Sequence, residues 1–428
     1  MKRTLILTAL SVTLLLSAQP RAVVVVVSSE SRPDSGCAGF ELAIDETKAQ
    51  EIDDLLRPNF AKPGSPGAEV TVLQDGKIRF LHGYGLSDIT HGIPISEQTV
   101  FNLASVSKQF TAMAILKLIQ QGKLSLDDIL TSLLPEFASL RNAHRITVRH
   151  LLTHTSGLPD YLRAFTHNKV HLDPGHDPTN QDVIRFLTHK KRLRFIPGNK
   201  FDYSDSGYVV LAQIVEAKSG MRFAEFMKQT FFDPLGMSNT FVRDERRLPI
   251  PHQANAYDKA RNGFKDVTTS RLDSIYGDGN AFSTVCDLAK WLQTILDILL
   301  DDRAPVTGNA RIRLSNIIVP IDALKRAFSQ VVLNNQSGVT YGFGWTVFLR
   351  ADLINGGDST LEVVFHTGVW NGVRTFIGII PNRGQGVIGI LLSNFGKFEA
   401  CEEAGKIAHL YLRDVPGIKR FVDCRGLH

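Results

Sequence analysis

Hydrophobic positions along the 428 residues recur with two different periods, and the switch between them outlines an architecture. Leu42, Ile44, Ile52 and Leu55 predict a helix from about Phe40 to Leu56, and Lys62 to Gly67 reads as a loop. Val70 and Val72 then alternate with polar partners, Asp75-Gly76 makes a turn, and Ile78 and Phe80 resume the pattern. That combination is a strong short-range hairpin signal. Residues 106 to 121 carry Phe110, Met113, Ala114, Ile115, Leu116, Leu118 and Ile119. They predict a helix apolar nearly all round, hence buried, and closed by Gly122.

From about 125 to 300 the helical period dominates, at Val183 to Leu187, Tyr208 to Lys218, Phe223 to Gln229 and Cys286 to Leu299. The last third returns to strands at Phe343 to Leu349, Leu361 to Phe365, Val373 to Ile380 and Gly386 to Leu392. Pro381-Asn382-Arg383-Gly384 turns between the last two, and a final helix spans about Glu399 to Leu412. The order predicts an α+β fold: an antiparallel sheet drawn from both chain ends, flanked by helices, with a mostly helical lobe inserted over about 125 to 300.

Composition changes this picture little. Hydrophobic residues make up 43% and charged residues 21%, which excludes a disordered or fibrous chain. The net charge of +5 is spread along the sequence, so nucleic acid is not an expected partner. The densest basic run, Lys190-Lys191-Arg192-Leu193-Arg194, reads as a solvated helix end. The N-terminus adds more. Lys2 and Arg3, an apolar core from Leu5 to Leu16, and Ser17-Ala18-Gln19 read as a signal peptide over residues 1–19. Export to the periplasm or medium is therefore expected, with a linker over 20–39, the folded domain over 40–415 and a tail over 416–428. Ala22 to Val27 leave an uncleaved anchor as the alternative, and with it the one expected membrane contact. Cys37, Cys286, Cys401 and Cys424 are spaced too widely for a zinc knuckle. Export would permit disulfides, and Cys401 with Cys424 is the first pair to test.

Three short segments carry chemistry. Ser105-Val106-Ser107-Lys108 opens the buried helix, and the i, i+3 spacing lets Ser105 and Lys108 touch. A helix N-terminus also favours negative charge developing at Ser105. Tyr203-Ser204-Asp205 lies in a polar loop before a helix expected near Tyr208, where Asp205 or Ser206 reads equally as a cap. His366-Thr367-Gly368 ends an apolar strand.

In this chain order the three resemble the S-x-x-K, Tyr-x-Asn and Lys-Thr-Gly motifs of the serine β-lactamase and penicillin-binding-protein superfamily. The chain looks like its class C branch, which also holds DD-carboxypeptidases, D-aminopeptidases and esterases. Leu151-Leu152-Thr153-His154-Thr155-Ser156-Gly157-Leu158, Gly277-Asp278-Gly279-Asn280-Ala281-Phe282-Ser283, Tyr341-Gly342-Phe343-Gly344-Trp345 and Leu392-Ser393-Asn394 extend it over about 45 to 412. The resemblance implies that Ser105 attacks a carbonyl to form an acyl-enzyme, that Lys108 shares or removes its proton, and that Tyr203 relays protons. It implies an oxyanion hole from the backbone N–H groups of Ser105 and Val369, and His366 and Thr367 beside the substrate.

Two departures matter: Asp205 stands for Asn, and His366 for Lys. A base lysine must lower its pKa by about 3 units, about 4 kcal/mol. A carboxylate about 4 Å away opposes that by ~4 kcal/mol at an effective dielectric of about 20. An ionised Asp205 would keep Lys108 charged and pass the base role to Tyr203. A His at 366 weakens recognition of a β-lactam carboxylate; Arg374 is an alternative cation. The function expected is a serine hydrolase of the peptidase or esterase type. The alternatives are a true β-lactamase, or a catalytically weak penicillin-binding or scaffold protein. Its partner would be a small-molecule or short-peptide substrate, with the oligomeric state left open. No cofactor and no metal are expected: His150 and His154 are spaced i, i+4 but lack a third ligand.

Overall fold

A computed structural model describes residues 37–166, 175–245, 249–301, 318–348, 363–382, 385–413 and 424. The signal peptide, nearly all of the linker and the tail apart from Cys424 lie outside them.

The principal strands and helices, in chain order, are β1 (Glu41–Leu42), α1 (Glu46–Leu56), β2 (Ala68–Gln74), β3 (Lys77–Tyr84), α2 (Lys108–Gln120), α3 (Asp205–Ser219) and α4 (Val285–Asp301). They continue with β4 (Thr346–Phe348), β5 (Val363–Trp370), β6 (Val373–Asn382), β7 (Gln385–Ser393) and α5 (Ala400–Leu412). The seven strands form one sheet in the order β1-β3-β2-β7-β6-β5-β4, antiparallel except for the short β1–β3 pair. Both chain ends contribute, as the hydrophobic pattern predicts. The β2–β3 turn follows its residues: Asp75 and Gly76 both take positive φ, 57° and 71°, which an Asp-Gly turn between twisted strands demands.

The sheet is buried on both faces, so its inner strands read as nearly continuous apolar runs. On β6, Ile377 and Ile379 pack with α2 and α4, whereas Phe376 and Ile380 face the layer formed by α1 and α5. The helical residues between β3 and β4 cover the first face. One disulfide, Cys37–Cys286, joins the start of the described chain to α4 across 249 residues, and Cys401–Cys424 closes a second loop. The second pair is the one proposed from sequence; the first was not foreseen.

Three element starts differ from the pattern. The first helix begins at Glu46 rather than Phe40, because Asp45 caps it by accepting from the Lys48 N–H at 3.1 Å, while Glu41–Leu42 pair with β3. The helix expected near Tyr208 begins at Asp205, with Ser204 at the N-cap. The strand expected from Phe343 starts at Thr346, because Tyr341 to Gly344 form a tight turn against α2. The remaining helices and strands overlap the segments the periodicity gives, but the strand expected to end at Phe365 runs on to Trp370 and Pro381-Asn382 still belong to a strand; residues 349, 361–362 and 383–384 lie outside the described residues. The basic run 190–194 is largely exposed just past a helix ending at Thr188, with Arg194 on Asp202.

Candidate active site

Ser105 is half-exposed within a buried stretch, in a short 3₁₀ turn (Ala104–Ser107) that runs straight into α2. Ala104, just before it, takes the left-handed φ of 48°. Asn102 holds that turn by accepting from the Ala104 N–H at 2.7 Å. Backbone strain is thus stored immediately beside Ser105.

One turn later, Lys108 is fully buried, and its ammonium has all three donors engaged. Nζ donates to Ser105 Oγ at 3.0 Å, to Asp205 Oδ1 at 2.6 Å and to the Asp278 carbonyl at 2.8 Å. Burial alone would favour the neutral amine. The charges of Asp205, Tyr203 and Asp278 together outweigh it, and the Lys108 pKa lies above the ordinary lysine value. The Asp205–Lys108 contact raised as a possibility by the sequence is therefore present.

Tyr203 borders this pair: Lys108 Nζ lies 5.1 Å from the centre of its ring. Its pKa is raised: burial and Asp205 push it up, and the Lys108 cation only partly offsets them. At neutral pH Tyr203 rests as a phenol beside an ammonium.

The Leu151–Leu158 segment holds this tyrosine's loop. The Asp202 N–H donates to the His154 carbonyl at 2.9 Å, the Ser204 N–H donates to His154 Nδ1 at 3.1 Å, and the Gly198 N–H donates to the Thr155 carbonyl at 2.9 Å. The His154 ring lies 4.2 Å from that of Tyr203 and 4.7 Å from that of Tyr341. Burial first, then Lys108 and His366, pushes His154 well below the usual histidine pKa, so it is a neutral support. His150 instead accepts from the Thr147 N–H and closes a helix cap. The i, i+4 pair is thus spent on structure.

The Gly277–Ser283 segment supplies a group that its spacing gave no reason to single out. Besides its carbonyl, Asp278 brings a buried carboxyl whose Oδ2 accepts from the Tyr161 hydroxyl at 2.7 Å, while Oδ1 is buried with no partner. Burial, with Asp205 adding to it, pushes this carboxyl up to about 7. Asp160 stands behind, accepting from the Asp205 N–H at 2.9 Å, and burial raises its pKa too. Two further carboxyls thus stand about the Lys108–Asp205 pair, that of Asp278 beside it and that of Asp160 behind Asp205. Nothing local in the sequence places them, since Asp278 is 170 residues from Lys108.

Two glycines press the sheet against the nucleophile. A Cβ on Gly368 would lie 2.3 Å from the Leu103 carbonyl oxygen and 2.2 Å from Thr375 Oγ1, which itself donates to that carbonyl at 2.9 Å. A Cβ on Gly344 would lie 2.9 Å from both the Lys108 carbonyl oxygen and Gln109 Cα. Gly368 belongs to β5, so His366-Thr367-Gly368 is mid-strand rather than terminal, the strand running on to Trp370.

His366 is buried. Its Nδ1 lies 2.6 Å from the Thr367 carbonyl, which only accepts, so Nδ1 carries a proton; Nε2 lies 3.0 Å from the Tyr341 hydroxyl. β4 pairs with β5 only as far as Phe365, so the outer edge of β5 from His366 to Val369 is not paired by β4. Arg374 does not supply a cation here. It alternates with Thr375, which faces the Ser105 turn, and its guanidinium donates to the Trp370 and Val373 carbonyls at 3.0 and 2.7 Å.

Comparison with known proteins agrees with this geometry. The Beta-lactamase family model matches residues 52–412. Penicillin-binding protein 4* of Bacillus subtilis is 32% identical over 320 residues, 72% of this chain and 64% of that protein. The chain thus spans somewhat under two thirds of that relative's length. Among solved structures, the D-amino acid amidase of Ochrobactrum anthropi SV3 superposes with a TM-score of 0.66 at 22% identity, covering 86% of this chain and 99% of that one. A class C beta-lactamase gives 0.65 at 21%, covering 89% and 100%. With the family model matching residues 52–412 and a relative 32% identical across 72% of the sequence, the chain belongs to the β-lactamase family, within the superfamily of serine β-lactamases and penicillin-binding proteins.

Proposed function

We propose that the protein is a serine hydrolase of the peptidase or esterase type, cleaving amide or ester substrates through an acyl-enzyme on Ser105. The observation that carries this reading is the Lys108 ammonium, bonded at once to Ser105 Oγ and to Asp205, with the Tyr203 ring centred 5.1 Å from the same ammonium. Neither Lys108 nor Tyr203 is a standing base, since both pKa values are raised. A relay removes the difficulty. As Ser105 Oγ bonds to the carbonyl carbon, its proton passes to Tyr203 Oη, and the Tyr203 proton passes to the leaving nitrogen or oxygen. Tyr203 ends neutral, as it began, and Lys108 stays cationic to stabilise negative charge on Oγ. Water reverses the steps in deacylation. The backbone N–H groups of Ser105 and Val369 form the oxyanion hole in this reading, supported by the position of Val369 on the strand edge left open by β4. His366 and Thr367 line the same edge beside the substrate. Two disulfides among the described residues support the proposal that the protein is exported and works in an oxidising compartment.

The test is active-site labelling with a fluorophosphonate or penicillin probe, together with hydrolysis of p-nitrophenyl esters, D-Ala-D-Ala peptides, D-aminoacyl anilides and nitrocefin. Labelling lost in Ser105→Ala, slowed by about 10²-fold or more in Tyr203→Phe, and turnover of an ester or peptide above nitrocefin are expected. Labelling independent of Ser105 sinks the proposal. A Tyr203→Phe protein labelled at the wild-type rate sinks the relay alone.

A further inference from the structure

Away from Ser105, a cavity of about 510 Å³ lies between the segment after α1, the hairpin Tyr257–Ala260/Gly263–Asp266 and the residues following β7. Lys62, Lys259, Arg261 and Lys397 line it, and no acidic residue does. Among the described residues none of these four side chains makes an ion pair or a hydrogen bond; Lys62 lies 5.4 Å over the ring of Phe264. Phe264 and Phe395 meet edge to face at 5.6 Å and give the cavity an apolar wall. Other surface cations of this protein do find carboxylates, as Lys77 finds Glu41 and Arg413 finds Glu51, but these four gather round one concavity without one. Four like charges around one concavity, within reach of each other's unscreened field, repel and concentrate counter-ions.

The volume suits a small organic ligand, and the charge narrows its class. A phosphate group carries about −1.5 to −2 at neutral pH, so two of them balance four cations, and Arg261 offers a fork that matches phosphate oxygens. We propose that this cavity is a binding site for a ligand bearing two phosphate groups, a diphosphate or bisphosphate, with an apolar or ring portion laid against Phe264 and Phe395. None of its lining residues belongs to the Ser105 constellation, so the site does not depend on the hydrolase reading. Phe395 directly follows Asn394, whose side chain accepts from the Gly67 N–H and donates to the Leu86 and Asn255 carbonyls. The ligand would thus sit on one of the most firmly tied corners of the fold.

Calorimetric titration of the full chain with inorganic pyrophosphate at low ionic strength tests this, with orthophosphate as the weaker comparator. Saturable binding is expected, unchanged in Ser105→Ala and in Lys190→Glu/Lys191→Glu, and weakened about tenfold for each cation lost in Lys259→Glu and Arg261→Glu. Thermal melts confirm that the charge-reversal variants fold. Cosedimentation with phosphatidylcholine vesicles, with and without cardiolipin, whose headgroup carries two phosphates, separates the two sources of the anion. Vesicle binding lost in the Lys259 and Arg261 variants would assign a lipid headgroup, and pyrophosphate binding without vesicle binding a soluble ligand. Absence of both, or affinities indifferent to Lys259→Glu and Arg261→Glu, overturns the site.

Discussion

Replacing Asp205 with Asn, the residue its family usually carries there, isolates the charge from the shape. Lys108 is fully buried and meets the Asp205 carboxylate at 2.6 Å. With the charge centres about 4 Å apart and an effective dielectric of about 20, that attraction is ~4 kcal/mol, or about 3 pKa units. In Asp205→Asn the largest influence opposing burial is gone, and the Lys108 pKa falls towards or below the ordinary lysine value. Because the native pKa of Lys108 lies above its unfolded value, the stabilisation from the pair is fully present below about pH 10.4 and is lost only as pH rises through the native pKa. At neutral pH the whole of it is therefore at stake. Breaking one side of a buried pair costs about 3–5 kcal/mol, so urea unfolding at pH 7 should show a loss of that order, shrinking towards pH 10 as Lys108 sheds its proton. The chemistry should change in step. The rate of fluorophosphonate labelling of Ser105 should gain an ascending limb between about pH 7 and 10 that the native protein lacks, since a neutral Lys108 then serves as base. Superimposable pH–rate profiles for the two proteins would refute the claim that Asp205 holds Lys108 in its charged form.

Three further outcomes follow from particular contacts. Gly368→Ala has no room for its methyl group beside the Leu103 carbonyl and Thr375, so it should cost about 1–3 kcal/mol in chemical unfolding and slow Ser105 labelling by displacing the strand. Asp278 has a pKa raised by burial to about 7, so the native state binds a proton that the unfolded state releases above about pH 4. Stability should therefore fall as pH rises from about 4 to 7 and then level off, and Asp278→Asn should flatten that slope in urea titrations. Cys37→Ser opens a disulfide that closes 249 residues and should lower stability by about 2–5 kcal/mol; peptide mapping without reductant should meanwhile still find Cys401 joined to Cys424.

Local signals in this sequence were legible, and long-range ones were not. Asp75-Gly76 dictates a turn because its two residues tolerate positive φ, and Ser105 with Lys108 reads as a pair because i and i+3 share a helix face. Asp205 was equally readable as a helix cap. Its true partner is 97 residues away, and only the packing of α3 on α2 decides between the two. The same holds for the Asp278 carboxyl and for Cys37 with Cys286, whose proximity depends on the finished fold. Arg374 misled for a different reason: the period of two in β6 turns it away from Thr375's face, and a sequence reading that counts distance along the chain misses the alternation. The first helix start failed because the Asp45 side-chain cap outweighed the apolar period, and the helix at Asp205 begins earlier than its apolar residues do.

The sheet's strand order also governs when the protein is able to fold. The early hairpin β2–β3 hydrogen-bonds to β7, which begins at Gln385, with Val387 opposite Gln74 and Ser393 opposite Ala68. Until more than 300 further residues are made, β2 presents an apolar strand edge with no partner. Assembly of the central layer therefore waits for the synthesis of Gln385–Ser393. The nascent hairpin must meanwhile be shielded from other chains, which makes chaperone supply, rather than final stability, the first limit on yield when this protein is overproduced.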